Sequence, residues 1–92
     1  MQTHKLEERP MADTAHIRQT VLDLLAKIAP EADIAHLDPS DRLRNQFDFD
    51  SVDFMNFAVA LQERLQLEIP EKDFPQLATL DSCVAYLAAK HS

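Results

Sequence analysis

The chain has 92 residues, 46% of them hydrophobic and 27% charged, and sixteen acidic side chains against nine basic give a net charge of −7. This is the composition of one small folded domain, and its acidity excludes a nucleic-acid binder, which needs a basic stripe, or a domain that docks on anionic lipid. Glycine is absent, which excludes Gly-rich phosphate loops, and the longest apolar run, Cys83 to Ala89, is far too short to span a membrane.

Residues 1–12 lack hydrophobic periodicity and contain Pro10 and a second methionine, Met11. They are expected to form a flexible N-terminal extension, with the domain proper over residues 13–91. From Asp13 the pattern changes: Ile17, Val21, Leu24, Leu25 and Ile28 recur at the spacing of one helical face, with Asp13 or Thr14 as cap and Pro30 as stop. Residues 30–47 read as a long loop anchored by Ile34, Leu37, Leu43 and Phe47, with one or two short helical turns inside it. A second helix is expected from about Ser51 to Leu67. Pro70 and Pro75 bracket one or two further turns, and Thr79 can cap a last helix in which Leu80, Val84 and Leu87 share a face. Strand alternation persists nowhere. The fold class is all-α: a small four-helix bundle of three main helices plus a short third one, with a long loop after the first.

On a helical wheel the second helix has two apolar faces. Phe54, Phe57, Ala58, Leu61 and Leu65 form the expected core face, while Val52, Met55 and Val59 lie opposite, interleaved with Asp53, Asn56, Gln62 and Glu63. The second set fits either contact with a partner or cover from the long loop. Charge concentrates in the same region, because residues 48–73 hold seven acids and two bases, a net of −5. That is either a solvated face or a surface that steers basic partners.

The helix opens with three carboxylates around one serine: Asp48-Phe49-Asp50-Ser51-Val52-Asp53. Two arrangements satisfy this pattern. Asp50 can cap, leaving the Ser51 hydroxyl free near the positive end of the helix dipole, where a phosphate ester is favoured; or Ser51 can itself be the cap.

The run Phe47 to Asp53 resembles the Asp-Ser-Leu motif of acyl carrier proteins and related phosphopantetheine-binding carrier domains. The resemblance continues through Ala60-Leu61-Gln62-Glu63-Arg64-Leu65, Leu67-Glu68-Ile69-Pro70, Leu77-Ala78-Thr79-Leu80 and Ala85-Tyr86-Leu87, and covers about residues 14–90. It implies that Ser51 is the attachment point of a 4′-phosphopantetheine arm, with Asp50 as a contributor. A phosphopantetheinyl transferase would bring coenzyme A and Mg²⁺; the Ser51 oxygen would bond to the β-phosphate and 3′,5′-ADP would leave. The terminal thiol of the arm would then hold acyl intermediates as thioesters and deliver them to acyl ligase or synthase-type enzymes with basic docking surfaces. The carrier is thus no enzyme. The resemblance further implies a partner-binding set of Val52, Asp53, Met55, Asn56, Val59, Glu63 and Glu71. It implies an acyl pocket lined by Phe57, Leu61, Leu65, Ile69, Leu77, Leu80 and Val84, although packing alone also accounts for these seven.

The chain departs from the family pattern in four respects. Asp48 stands where the family has glycine, Phe49 where a small or aliphatic residue is common, and Asn56 and Gln62 where fatty-acid carriers have acids. Phe54 and Phe57 make the second helix bulkier than usual. These differences point to a stand-alone carrier in a specialised lipid or secondary-metabolite pathway. The alternatives are an aminoacyl or peptidyl carrier of a non-ribosomal pathway and an unmodified helical adaptor.

No metal is expected. Read as a calcium loop from Asp48, the sequence has Asp53 where glycine is needed and Val59 where glutamate is needed, and His4, His16, His36 and His91 lack ligand spacing. The single cysteine, Cys83, suits a small core hydrophobe. One cysteine and the lack of a basic stretch leading into an apolar one make the expected location cytoplasmic, and the net charge favours a monomer.

Overall fold

The computed structural model describes the backbone of residues 3–91 and the side chains of residues 14–90. Among these residues the chain forms α1 (Thr3–Ile28), a 3₁₀ turn (Ile34–His36), a one-turn helix α2 (Leu43–Gln46), α3 (Ser51–Leu65), a 3₁₀ helix (Glu71–Leu77) and α4 (Leu80–His91). The expected all-α bundle is therefore present, with its short third helix in 3₁₀ form. The first helix starts at Thr3, upstream of the expected start at Asp13 or Thr14. A helix that continues past these residues leaves them no orphan amide to cap. The side chains of residues 1–12, where a flexible extension is expected, lie outside the described residues.

The core follows the apolar periodicity. Ile17, Val21, Leu24 and Leu25 of α1 pack with Phe57, Ala58, Leu61 and Leu65 of α3 and with Leu80, Cys83, Val84 and Leu87 of α4. The connections add Leu43, Phe49, Ile69 and Leu77. Burying such side chains contributes about 1.5–3 kcal/mol each against leaving them in water. No buried side-chain nitrogen or oxygen among the described residues lacks a hydrogen-bond partner.

Two connections are fixed by specific bonds. Arg42 forms an isolated antiparallel bridge with Thr79, and Leu43 N–H donates to the Ala78 carbonyl at 2.9 Å. Asp81 N–H donates to the Pro39 carbonyl, also at 2.9 Å. These bonds hold the second half of the long loop against the start of α4, where Thr79 Oγ1 accepts from Ser82 N–H as the expected cap. At its other end α3 stops at Leu65, because Gln66 is left-handed with φ 55°. A non-glycine residue there costs about 1–2 kcal/mol. The cost is offset by Leu67 N–H donating to the Gln62 carbonyl and by the Gln62 side chain, which accepts from Ile69 N–H at 3.1 Å and donates to the Ala58 carbonyl at 3.3 Å. Gln62 therefore holds the turn in place.

Two protonated groups make the fold sensitive to alkali. Burial pushes the Cys83 thiol from 9.0 up to about 12. Tyr86 is pushed from 10.0 up to about 12 by partial burial, by the hydrogen bond its hydroxyl donates to Asp73 at 2.6 Å, and by the charge of Asp73. Both groups keep their protons in the fold longer than in the unfolded chain. Their contribution is complete below about pH 9 and is lost as pH rises towards about 12. The urea midpoint is expected to fall steadily over that window; a flat midpoint would contradict the assignment.

Candidate functional site

The site is built where the loop enters α3. Phe47 and Asp50 have extended backbone, and burial alternates between them: Phe49 is buried, while Asp48 and Asp50 are exposed. Asp50 is the N-cap of α3. Its Oδ1 accepts from Asp53 N–H at 2.8 Å, and Asp53 Oδ2 accepts from Asp50 N–H at 3.4 Å, a reciprocal capping box. Of the two arrangements open to the sequence, the structure therefore takes the one with Asp50 as cap. Ser51 becomes the first helical residue. It is exposed, and its hydroxyl makes no hydrogen bond among the described residues. The hydroxyl stands at the positive end of a fifteen-residue helix, which favours an anionic ester.

Beside Ser51 lies an open cavity of about 460 Å³, lined by Arg42, Leu43, Arg44, Phe49, Asp50, Ser51, Phe54, Phe74, Pro75 and Ala78. Part of its wall is Phe49, Phe54 and Phe74, which belong to one edge-to-face cluster with Phe47 and Phe57. Phe49 is the hub, with ring centroids 5.4 Å from Phe47, 6.1 Å from Phe54 and 5.8 Å from Phe57, and Phe54 meets Phe74 at 5.8 Å. Such pairs contribute about 0.5–1.5 kcal/mol each beyond the area they bury. Phe54, expected on the core face, is half-buried and with Phe49 lines the cavity beside the serine. Arg42 and Arg44 sit on the rim of the cavity, and neither forms an ion pair among the described residues. No histidine is among the described residues that line the cavity, and Asp50 already accepts from the helix backbone.

The other expected site residues fall into two groups. Val52, Met55 and Val59 are 64%, 43% and 46% exposed and form one outward face, so the loop does not cover them. Asn56, Glu63 and Glu71 are also exposed and Asp53 is half-buried. The seven expected pocket residues, Phe57, Leu61, Leu65, Ile69, Leu77, Leu80 and Val84, are all core, and none of them lines the cavity beside Ser51. Sequence reasoning missed Arg42, Arg44 and Phe74. The one available signal was two arginines in an otherwise acidic loop.

Comparison with known proteins bears on the same region. A family model described as a phosphopantetheine attachment site matches residues 19–87. The acyl carrier protein of Streptomyces coelicolor is 26% identical over 77 residues, 84% of each chain. That of Thermobifida fusca is 29% identical over 76 residues, covering 79% of this chain and 96% of its own. That of Helicobacter hepaticus is 30% identical over 57 residues, covering 62% of this chain and 75% of its own.

Proposed function

The chain belongs to the acyl carrier and phosphopantetheine-binding family, whose members carry 4′-phosphopantetheine covalently, and from that membership we propose that Ser51 bears the arm in a stand-alone acyl carrier protein. One observation carries the assignment: Asp50 takes the cap, which leaves the Ser51 hydroxyl exposed at the helix tip with no hydrogen bond among the described residues. The residues present fit the group. The hydroxyl is accessible, and the cavity beside it has an apolar wall and two arginines that form no ion pair among the described residues. When attached, the arm supplies a terminal thiol to carry an acyl group. The chain contributes position, and a phosphopantetheinyl transferase supplies the base and the metal ion.

Val52, Met55 and Val59 form the centre of the docking face, with Asp53, Asn56, Glu63 and Glu71 around it. Three apolar side chains ringed by polar and acidic groups suit a transient contact with a basic partner. Asn56 on this face, and Gln62 turned inward, leave it less acidic than a general fatty-acid carrier's, which supports dedicated partner enzymes in a specialised pathway. Met55→Asp is expected to slow loading by a transferase on the order of tenfold, the loss of one central contact of about 1.4 kcal/mol. Its thermal midpoint should match wild type, because Met55 is 43% exposed. Unchanged loading would move the docking face elsewhere.

Intact mass tests the whole assignment. Incubation with coenzyme A, Mg²⁺ and a promiscuous transferase should add the mass of one phosphopantetheine. A chain that stays unmodified is a helical adaptor and not a carrier.

A further inference from the structure

We propose that Arg42 and Arg44 clamp the phosphodiester of the arm, so that the arm folds back along the phenylalanine-walled groove instead of projecting freely into solvent. The inference rests on the assignment of Ser51 as the attachment residue. It starts from charge. Asp48, Asp50 and Asp53 surround Ser51, and the phosphodiester formed on its oxygen adds a further negative charge. The helix N-terminus offsets part of this, but two of its amides are already engaged in the capping box or the first helical turn, Asp53 N–H with Asp50 Oδ1 and Phe54 N–H with the Asp50 carbonyl.

The compensating cations stand on the rim of the same cavity. In a chain of net charge −7, Arg42 and Arg44 border the Ser51 cavity and form no ion pair with any described carboxylate. Both residues are exposed, so their guanidinium groups are open to solvent. Their backbone is nonetheless held firmly: the Arg42–Thr79 bridge and the bond from Leu43 N–H to the Ala78 carbonyl fix this part of the loop against α4. Guanidinium is always protonated and meets phosphate oxygens with paired N–H donors. Past the phosphate, the apolar part of the arm would run along Phe54, Phe74 and Pro75. The charge of the occupant thus matches the rim, and its apolar length matches the wall.

The test compares wild type with R42Q/R44Q, each converted to the phosphopantetheinylated form with excess transferase and checked by intact mass. Phosphorus NMR and thermal midpoints are then recorded for the unmodified and modified forms at low and high salt. The clamp predicts that modification raises the wild-type midpoint by a few degrees at low salt, and that at least half of this gain is lost in R42Q/R44Q or at high salt. It also predicts that the phosphodiester resonance differs between the two proteins at low salt and converges at high salt. Should the double variant load incompletely, R42Q and R44Q singly give the same comparison with smaller differences. Equal midpoint gains and superimposable phosphorus resonances would overturn the clamp while leaving Ser51 as the attachment residue. A wild type that gains no mass overturns both.

Discussion

Ser51→Ala is expected to give a fully folded protein that takes up no phosphopantetheine. The two halves of that outcome come from one geometric fact. Ser51 occupies the first position of α3, it is exposed, and its hydroxyl makes no hydrogen bond among the described residues. Removing the oxygen therefore deletes nothing that the fold uses. Alanine is also a good helix former, so stability should stay within about 0.5 kcal/mol of wild type. Loading should fall to zero, because the atom that would bond to phosphorus is gone. The neighbouring residue provides the contrast. Asp50→Ala removes the cap that accepts from Asp53 N–H at 2.8 Å and should cost about 1 kcal/mol, while the hydroxyl itself remains. If Ser51→Ala still gained the arm in an intact-mass experiment, the attachment residue would be another hydroxyl. If it melted well below wild type, Ser51 would be a structural cap after all.

The largest effect on stability is expected at Phe49. This ring is 7% exposed and touches three other phenylalanines, with centroids 5.4, 6.1 and 5.8 Å away. Replacing a buried phenylalanine by alanine costs about 3–5 kcal/mol. For a domain of this size that corresponds to a thermal midpoint lower by roughly 15–30 °C. The side chain joins the loop segment at Phe47 to α3 at Phe54 and Phe57, so its loss also loosens the wall beside Ser51. Phe49→Leu, which keeps most of the volume but no ring edge, should fall between alanine and wild type. Calorimetry on the two variants checks the order. A Phe49→Ala midpoint within a few degrees of wild type would mean that the cluster does not hold the loop to the helix.

What the sequence made legible was governed by local rules. The helix faces from Ile17 to Ile28, from Phe57 to Leu65 and from Leu80 to Leu87 could be read because the 3.6-residue period puts their apolar side chains on one side whatever they pack against. Thr79 and Asp50 were legible for a similar reason, since a cap bonds to amides only two or three residues away. The start of α1 was misplaced at Asp13 because a capping residue is informative only where a helix begins. Gln62 could be read as a surface residue at a partner position, yet its amide bonds to Ile69 N–H, seven residues ahead, across a left-handed turn that no glycine marked.

The candidate site divides in the same way. Its serine, its cap and the outward face of Val52, Met55 and Val59 lie on one helix and follow from that helix's geometry. Its cavity does not. Arg42 and Arg44 come from the long loop, Phe49 from the approach to α3, and Phe74 and Pro75 from the 3₁₀ helix. The Arg42–Thr79 bridge and the bonds from Leu43 to Ala78 and from Asp81 to Pro39 hold the loop against the start of α4, and the Phe49 cluster ties it to α3. Local spacing therefore determined the helices and the serine at the tip of one of them. Contacts between residues far apart in the chain, which no periodicity encodes, decided what surrounds that serine.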